Sequence, residues 1–140
     1  MTDPVRSPED ELRIAIQQVS RGIRTNRGDD VSDPQLCVLV DLDLHGALTP
    51  SSLAALERVT PPSMNRTVNA LETAGLVTRS KSSDDARKVI VDLTPDGGAL
   101  LAETRRLRSA WFSRRLEALT PAEREALLAV VPILRKLVDP

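Results

Sequence analysis

Apolar residues recur every three or four positions along most of the chain, which is the spacing of the buried face of an α-helix. Four such stripes precede Gly75, at residues 12–23, 36–42, 53–59 and 64–71. Each stripe predicts one helix, the third of them short. We expect the first helix to end near residues 26–28, the second at Gly46 and the fourth at Gly75, because glycine often follows the last helical turn.

After Gly75 the spacing changes from helical to alternating. Residues 76–80 and 89–93 therefore predict the two strands of a hairpin, with a polar tip at residues 81–87. The helical spacing then returns and predicts a fifth helix at about residues 95–116 and a sixth at 121–138. We expect Pro132 to kink the sixth helix, since proline has no N–H to donate. The predicted fold is mainly α with one small β-hairpin.

Several helix starts carry a distinct signal, a hydroxyl residue directly before a proline. It occurs at Ser7-Pro8, Thr49-Pro50, Thr60-Pro61, Thr94-Pro95 and Thr120-Pro121. The hydroxyl accepts from a first-turn N–H, and proline is tolerated at the first helical position because its missing N–H had no partner there. Thr120 with Glu123, and Ser32 with Gln35, also predict capping boxes.

Composition limits the size and the chemistry. The chain has 140 residues, 41% hydrophobic and 28% charged, which fits a single folded domain with one core. Cys37 and His45 are its only cysteine and histidine, so we expect no disulfide framework, no four-ligand zinc site, no cofactor and no Ser-His-Asp enzyme. One tryptophan, one phenylalanine and no tyrosine argue against a base-stacking platform for single strands.

The third and fourth helices with the following hairpin predict a helix-turn-helix that carries a wing. The fourth helix would be the recognition helix. If its apolar residues face the core, the side chains that point outwards near its start are Pro62, Ser63, Asn65, Arg66 and Asn69, of which the last four suit a major groove. Arginine can bridge guanine O6 and N7, and asparagine can do the same for adenine N6 and N7. The alternative reading is an ordinary solvated helix face.

The hairpin concentrates positive charge. Its basic residues are Arg79, Lys81, Arg87 and Lys88. We expect them to lie along a DNA backbone, with one arginine in a minor groove and Asp85 holding the guanidinium of Arg87. The alternative is a set of ordinary surface charges in weak ion pairs.

From Leu48 to Gly97 the chain resembles the MarR family of winged-helix transcription regulators. The matching stretches are residues 48–56, 65–77 and 85–97. The last holds the family's Asp-x-Arg wing signature as Asp85-Ala-Arg87, followed by a second strand and the helix start Leu93-Thr-Pro-Asp-Gly97. The resemblance implies a homodimer that presents two lobes to a pseudo-palindromic duplex. It assigns base reading to Ser63, Asn65, Arg66 and Asn69, and the minor-groove contact to Arg87 braced by Asp85.

We therefore expect one domain, residues 1–140, in which residues 31–98 form the DNA-binding lobe and residues 1–30 and 99–140 the dimerisation helices. The apolar stripes at the two ends of the chain support this, because they exceed what one small lobe needs to bury. The acidic N-terminus holds no apolar segment, and no stretch reaches bilayer length. We expect the protein in the prokaryotic cytoplasm, associated with the nucleoid and not with a membrane.

An effector site is a further possibility on the fifth helix. Trp111 and Phe112 either line a pocket for a small molecule or form dimer core, and the second reading is favoured. The same helix carries five arginines, at positions 105, 106, 108, 114 and 115. They form a solvated basic face or supply one partner for a carboxylate effector.

Two other chemistries are weaker candidates. Asp41, Asp43 and His45 are close in sequence, and Asp41 and His45 can share a helix face as metal ligands, but a helix-terminal histidine more often meets solvent or carbonyls. Cys37 lies between Leu36 and Val38 without a cationic neighbour, so we expect a buried, inert thiol.

The leading hypothesis is a homodimeric, sequence-specific DNA-binding repressor that a small ligand releases. The rivals are a winged-helix module that binds protein and, less favoured, a small metal- or thiol-dependent enzyme. The net charge of −1 argues against indiscriminate coating of DNA. Its distribution favours one DNA-binding face, because residues 1–59 carry −4, residues 60–88 carry +2 and residues 89–140 carry +1.

Overall fold

A computed structural model describes residues 6–26 and 31–139. Over these residues the chain is mainly helical, with one two-stranded antiparallel sheet. The elements in chain order are α1 Pro8–Thr25, α2 Asp33–His45, α3 Pro50–Glu57, α4 Pro61–Thr73, β1 Val77–Lys81, β2 Val89–Leu93, α5 Pro95–Glu117, α6 Pro121–Ala129 and α7 Val131–Val138. Each strand begins within one residue of its predicted start.

Helix starts follow the hydroxyl signal read from the sequence. The hydroxyl oxygens of Ser7, Thr49, Thr60, Thr94 and Thr120 each accept from the backbone N–H three residues later, at 3.1 to 3.3 Å. The capping boxes of Ser32 with Gln35 and of Thr120 with Glu123 are both complete. Because these bonds satisfy N–H groups that no helical carbonyl can reach, the starts of α1 to α6 are each fixed by their own few residues.

The helix ends match the sequence predictions less uniformly than the helix starts do. α4 closes where predicted: Gly75 has φ +76°, and Leu76 N–H donates to the carbonyl of Leu71 at 2.9 Å. α3 ends at Glu57, because Arg58 adopts the left-handed conformation at φ 54°; Val59, although part of the apolar stripe, lies in the tight connection that was predicted at residues 58–60. The first helix ends at Thr25 with Asn26 as its cap, and residues 27–30 lie outside the described residues.

Pro132 does more than kink a sixth helix. The helical stretch is divided into α6 and α7 at Val130, whose carbonyl accepts from Ile133 and Leu134 N–H at 2.9 Å each. Proline near the start of α7 has no N–H to continue the α6 ladder, so a new helix begins there. The prediction of one continuous helix over 121–138 is therefore wrong.

The described residues fall into two compact units. Residues 31–105 form the first unit, which we call the lobe, and residues 6–26 with 106–139 form the second, which we call the terminal-helix unit. The lobe contains a continuous apolar core from α2, α3, α4, both strands and the start of α5. Its buried members are Val31, Leu36, Val38, Leu39, Leu42, Leu53, Ala54, Met64, Val68, Leu71, Leu76, Val77, Val91 and Leu101.

Burial also shows where α5 passes from one unit to the other. Leu101 and Thr104 are buried within the lobe, and Arg105 pairs with Asp43 of α2 at 2.9 Å. Residues 99–105 thus lie in the lobe unit, whereas the sequence-based division placed residue 99 onward with the dimerisation helices. Across residues 6–26 and 31–139, no helix combines the length and the apolar character of a bilayer span.

Candidate nucleic-acid interface

α4 separates its apolar and polar residues cleanly onto two faces. Met64, Val68 and Leu71 recur at helical spacing, and all three are buried in the core of the lobe. Asn65, Arg66 and Asn69 point away from that core and are exposed. The core therefore fixes the rotation of the helix, and the rotation directs these polar side chains outwards.

Ser63 differs from the other three residues predicted to read bases. It is half-buried in the first turn, where its backbone N–H donates to Thr60 Oγ1 at 3.3 Å and its carbonyl accepts from Thr67 Oγ1 at 3.2 Å. It directly follows the exposed Pro62 at the start of the helix. We call Ser63, Asn65, Arg66 and Asn69 together the recognition face.

The hairpin, which we call the wing, is joined to the lobe at its base. Its register pairs Val77 with Leu93 and Lys81 with Val89. Leu48, just before α3, exchanges two backbone hydrogen bonds with Val91, at 2.8 and 3.0 Å. This short bridge was not predicted, because a single paired residue leaves no alternating pattern. It ties the second strand of the wing to the start of the helix-turn-helix.

The tip of the wing holds the predicted pair of Asp85 and Arg87. Asp85 Oδ1 accepts from the backbone N–H of Arg87 at 3.0 Å and from its Nε at 3.3 Å. The Arg87 side chain is nevertheless 92% exposed, so the guanidinium stays available to a partner. Lys81 and Lys88 are also exposed. In water such a pair contributes little to stability, and its effect is to restrict the arginine's orientation.

Arg79 is placed differently from the other wing cations. Its side chain is only 24% exposed and lies against α4, where its Nη1 donates to Asn69 Oδ1 and lies 3.6 Å from Glu72 Oε1. The structure thus groups Arg79 with the recognition helix, whereas Lys81, Arg87 and Lys88 project from the outer part of the wing.

A cleft of about 540 Å³ lies between the start of α3 and the wing. Its lining includes Ser51 and Ser52 on one side and Arg87 and Lys88 on the other. Neither serine was predicted as a site residue. Both belong to the Thr-Pro-Ser-Ser helix start, which was read as a cap and as part of the family resemblance.

The aromatic pair of α5 belongs to the terminal-helix unit. Trp111 is half-buried, with its ring packed against Gly22 of α1 and the guanidinium of Arg115 5.3 Å from the ring centroid. Phe112, its neighbour, is 37% exposed. Within this unit Trp111 has a packing role, and Phe112 presents much of its ring to solvent.

The expectation that Cys37 is buried is wrong. Cys37 is exposed, because successive helical residues are about 100° apart and the buried Leu36 and Val38 turn it away from the core. Cys37 also lies near a carboxyl pair formed by α2 and α3. A hydrogen bond to Asp41, with desolvation and the Asp41 charge adding to it, raises the pKa of Glu57 to about 7.

The structure places the residues suggested as metal ligands in separate environments. Asp43 pairs with Arg105, and His45 is exposed at the end of α2. Among residues 6–26 and 31–139 there is no group of three or more histidine, cysteine or acidic side chains arranged to hold a metal ion. The structure gives these residues no shared site.

Two short helices joined by a tight turn, with an exposed polar recognition face and a basic hairpin beside it, define a winged helix-turn-helix DNA-binding protein. The model of the MarR family matches residues 31–89. The HTH-type transcriptional regulator Mb0904 of Mycobacterium bovis is 38% identical over 130 residues, 92% of this chain and 91% of the relative. The chain belongs to the MarR family and is a DNA-binding transcriptional regulator, not an enzyme.

Two solved structures extend the comparison to the fold. A protein from Pseudomonas aeruginosa PA01 is 33% identical, with a TM-score of 0.80 over 93% of each chain. Bordetella bronchiseptica BpsR, whose DNA binding is regulated by 6-hydroxynicotinic acid, is 26% identical, with a TM-score of 0.68 over 100% of this chain and 99% of its own. The predicted family and fold class are confirmed.

Proposed function

We propose that this regulator is a homodimer that represses transcription by occupying an inverted-repeat operator in the prokaryotic cytoplasm, on the nucleoid. The observation that carries the proposal is that the terminal-helix unit leaves its apolar side chains exposed. None of the described residues in 6–26 and 106–139 is buried, although these helices carry long apolar stripes. Such a unit has no core of its own, and a second copy would supply one.

The apolar side chains left in water are numerous. The large exposed ones in the described part of this unit are Leu12, Ile16, Val19, Phe112, Leu127, Leu128, Val130, Val131, Ile133, Leu134, Leu137 and Val138. Full burial of one such side chain is worth roughly 1.5 to 3 kcal/mol. Even partial burial of this set between two copies outweighs the roughly 4 to 15 kcal/mol that association costs.

In the proposed complex each lobe docks on one half-site. The recognition face, Ser63, Asn65, Arg66 and Asn69, reads base edges in the major groove. The wing holds the duplex through Lys81, Asp85, Arg87 and Lys88, with Arg87 in the minor groove, while Arg79 lies against α4. Two-fold symmetry then requires half-sites about 34–36 Å apart, one helical turn of DNA. A dimer bound in this way blocks other proteins from the same duplex, which is why we propose repression.

We further propose that a small aromatic or carboxylate effector binds at Trp111 and Phe112 and releases the operator. The half-buried indole beside the Arg115 guanidinium offers an apolar surface and a cation together. The regulation of BpsR by 6-hydroxynicotinic acid supports this class of ligand. An effector acts only if it binds one lobe spacing more tightly than the other.

Sedimentation velocity tests the dimer, with a matched pair of variants. Leu128→Glu places a charge in the terminal-helix stripe at a side chain that is 62% exposed, and Leu44→Glu does the same in the lobe at one that is 73% exposed. We expect wild type and Leu44→Glu to sediment as dimers, and Leu128→Glu as a folded monomer with weak affinity for an operator. A monomeric wild type at tens of micromolar would contradict the proposal.

Emission from Trp111 tests the effector, with 6-hydroxynicotinic acid as the probe. The chain has one tryptophan, so the signal reports on this site alone. A saturable change in emission that parallels loss of operator binding supports the proposal. Unchanged emission together with unchanged DNA binding at millimolar probe refutes this ligand class.

A further inference from the structure

We propose that Arg79 determines base specificity without touching the DNA: it holds the side-chain amide of Asn69 so that the NH2 group faces the major groove and selects guanine over adenine. The inference rests on the proposed function, in which α4 reads bases. It assigns Arg79 a role different from that of the other wing cations, namely as a positioning residue for Asn69.

The position of Arg79 follows from the strand register. Val77 is buried in the lobe core, and Arg79, two residues further along β1, leaves the hairpin on the same face. Its side chain therefore runs towards α4. Asn69 and Glu72 are three positions apart on that helix, so they lie side by side, and Arg79 reaches both.

The chemistry of the pair fixes the amide orientation. A guanidinium carries only donors, so the Asn69 group that faces Arg79 has to be the carbonyl oxygen. The Asn69 NH2 is then directed away from Arg79, with Asn69 itself exposed on the recognition face. An asparagine free to rotate can match adenine through both its oxygen and its NH2. With its oxygen hydrogen-bonded to Arg79, Asn69 has only the donors of its NH2 group left to contact DNA.

The major-groove edge of guanine presents two acceptors, N7 and O6, whereas adenine presents N7 beside the N6 donor. A side chain that offers only donors fits guanine, and meets a like group at adenine N6. Glu72 completes the arrangement, because its carboxylate at 3.6 Å holds the Arg79 guanidinium on α4 instead of releasing it towards a phosphate.

Selection from a random duplex library tests the inference, with wild type, Arg79→Ala, Arg79→Lys and Asn69→Ala. We expect wild type to select guanine at one position of each half-site, and Arg79→Ala to shift the guanine-to-adenine ratio there about fivefold or more towards adenine. Arg79→Lys keeps the guanine preference, since lysine is also purely a donor. Asn69→Ala loses the preference, and adding Arg79→Ala to it changes nothing further.

Arg87→Ala is the matched control, because this exposed cation should change affinity without changing that preference. Motifs that are identical for wild type and Arg79→Ala would overturn the inference. So would a uniform loss of affinity in Arg79→Ala with a salt slope lower by about 0.9, which is the result for a phosphate contact. If wild type selects no motif at all, the proposed function fails and not only this inference.

Discussion

The substitution Gly97→Ala tests how the start of α5 holds the base of the wing. A Cβ at Gly97 would lie 2.2 Å from the backbone oxygen of Leu76 and 3.0 Å from Leu93 Cδ2. That oxygen also accepts from Thr94 N–H at 3.1 Å, so it belongs to the join between β1 and α5. The backbone oxygen of Leu76 cannot move away by a side-chain rotation, so a backbone segment has to shift. Gly98, the next residue, has nothing within 4 Å of its own Cβ position and is the matched control.

The magnitude follows from the size of the overlap. Ordinary contact begins at 3.4 Å, so the helix start must move by roughly 1 Å away from Leu76. Overpacking of this kind typically costs about 1 to 3 kcal/mol. Alanine is favoured over glycine in helices by up to about 1 kcal/mol, but this gain is common to Gly97→Ala and Gly98→Ala. The difference between the two variants therefore isolates the steric overlap.

Thermal unfolding followed by far-UV circular dichroism, at one protein concentration, measures that difference. We expect Gly97→Ala to melt roughly 3 to 9 °C below Gly98→Ala, and Gly98→Ala to melt at or slightly above wild type. If the two variants melt at the same temperature, α5 does not pack on the Leu76 carbonyl.

Three further predictions concern separate parts of the chain. Arg87→Ala should weaken binding to every duplex and lower the slope of log affinity against log salt by about 0.9, as measured by fluorescence anisotropy across a salt series. Glu57→Gln should remove a pH dependence of stability: the raised pKa of Glu57 means that the folded state binds the extra proton, so the free energy of unfolding falls as pH rises from about 4.5 to about 7. Urea titrations at several pH values measure this. Gly22→Ala should shift the emission of Trp111 and lower the melting temperature, because the new Cβ would lie 2.4 Å from the indole ring.

Each of these has a control and a contrary outcome. Arg135→Ala removes a cation from α7 and should leave the salt slope unchanged, whereas an unchanged slope in Arg87→Ala would remove the wing from the interface. Glu125→Gln on α6 is the control and should keep the pH dependence of stability. If Glu57→Gln also keeps it, Asp41 is not the partner that raises the pKa of Glu57. Unaltered emission in Gly22→Ala would mean that α1 and α5 do not pack at this point.

The features that sequence predicted well are those set by neighbouring residues. A hydroxyl before a proline starts a helix through bonds that span three positions, so Thr49 and Thr120 could be read directly. The buried face of α4 was equally readable, because Met64, Val68 and Leu71 repeat at the helical period. These signals were sufficient for the order of the elements and for the exposed recognition face.

The features that sequence missed depend on contacts between distant segments. Arg79 was grouped with the wing cations because of its charge. The direction of its side chain is set by the pairing of β1 and by the position of α4, which brings Asn69, ten residues earlier in the chain, within hydrogen-bond distance. The bridge from Leu48 to Val91 likewise joins residues that no local pattern connects. The burial of Cys37 was predicted wrongly from its apolar sequence neighbours, because adjacent residues of a helix face different directions.

The central claim is that two copies of this chain read an inverted repeat through α4 and the wing. The most direct test is selection from a random duplex library with the purified wild-type protein. We predict one enriched motif made of two inverted half-sites, with centres 10 to 10.5 base pairs apart. An enriched motif without two-fold symmetry, or no enrichment at low salt, would contradict the account.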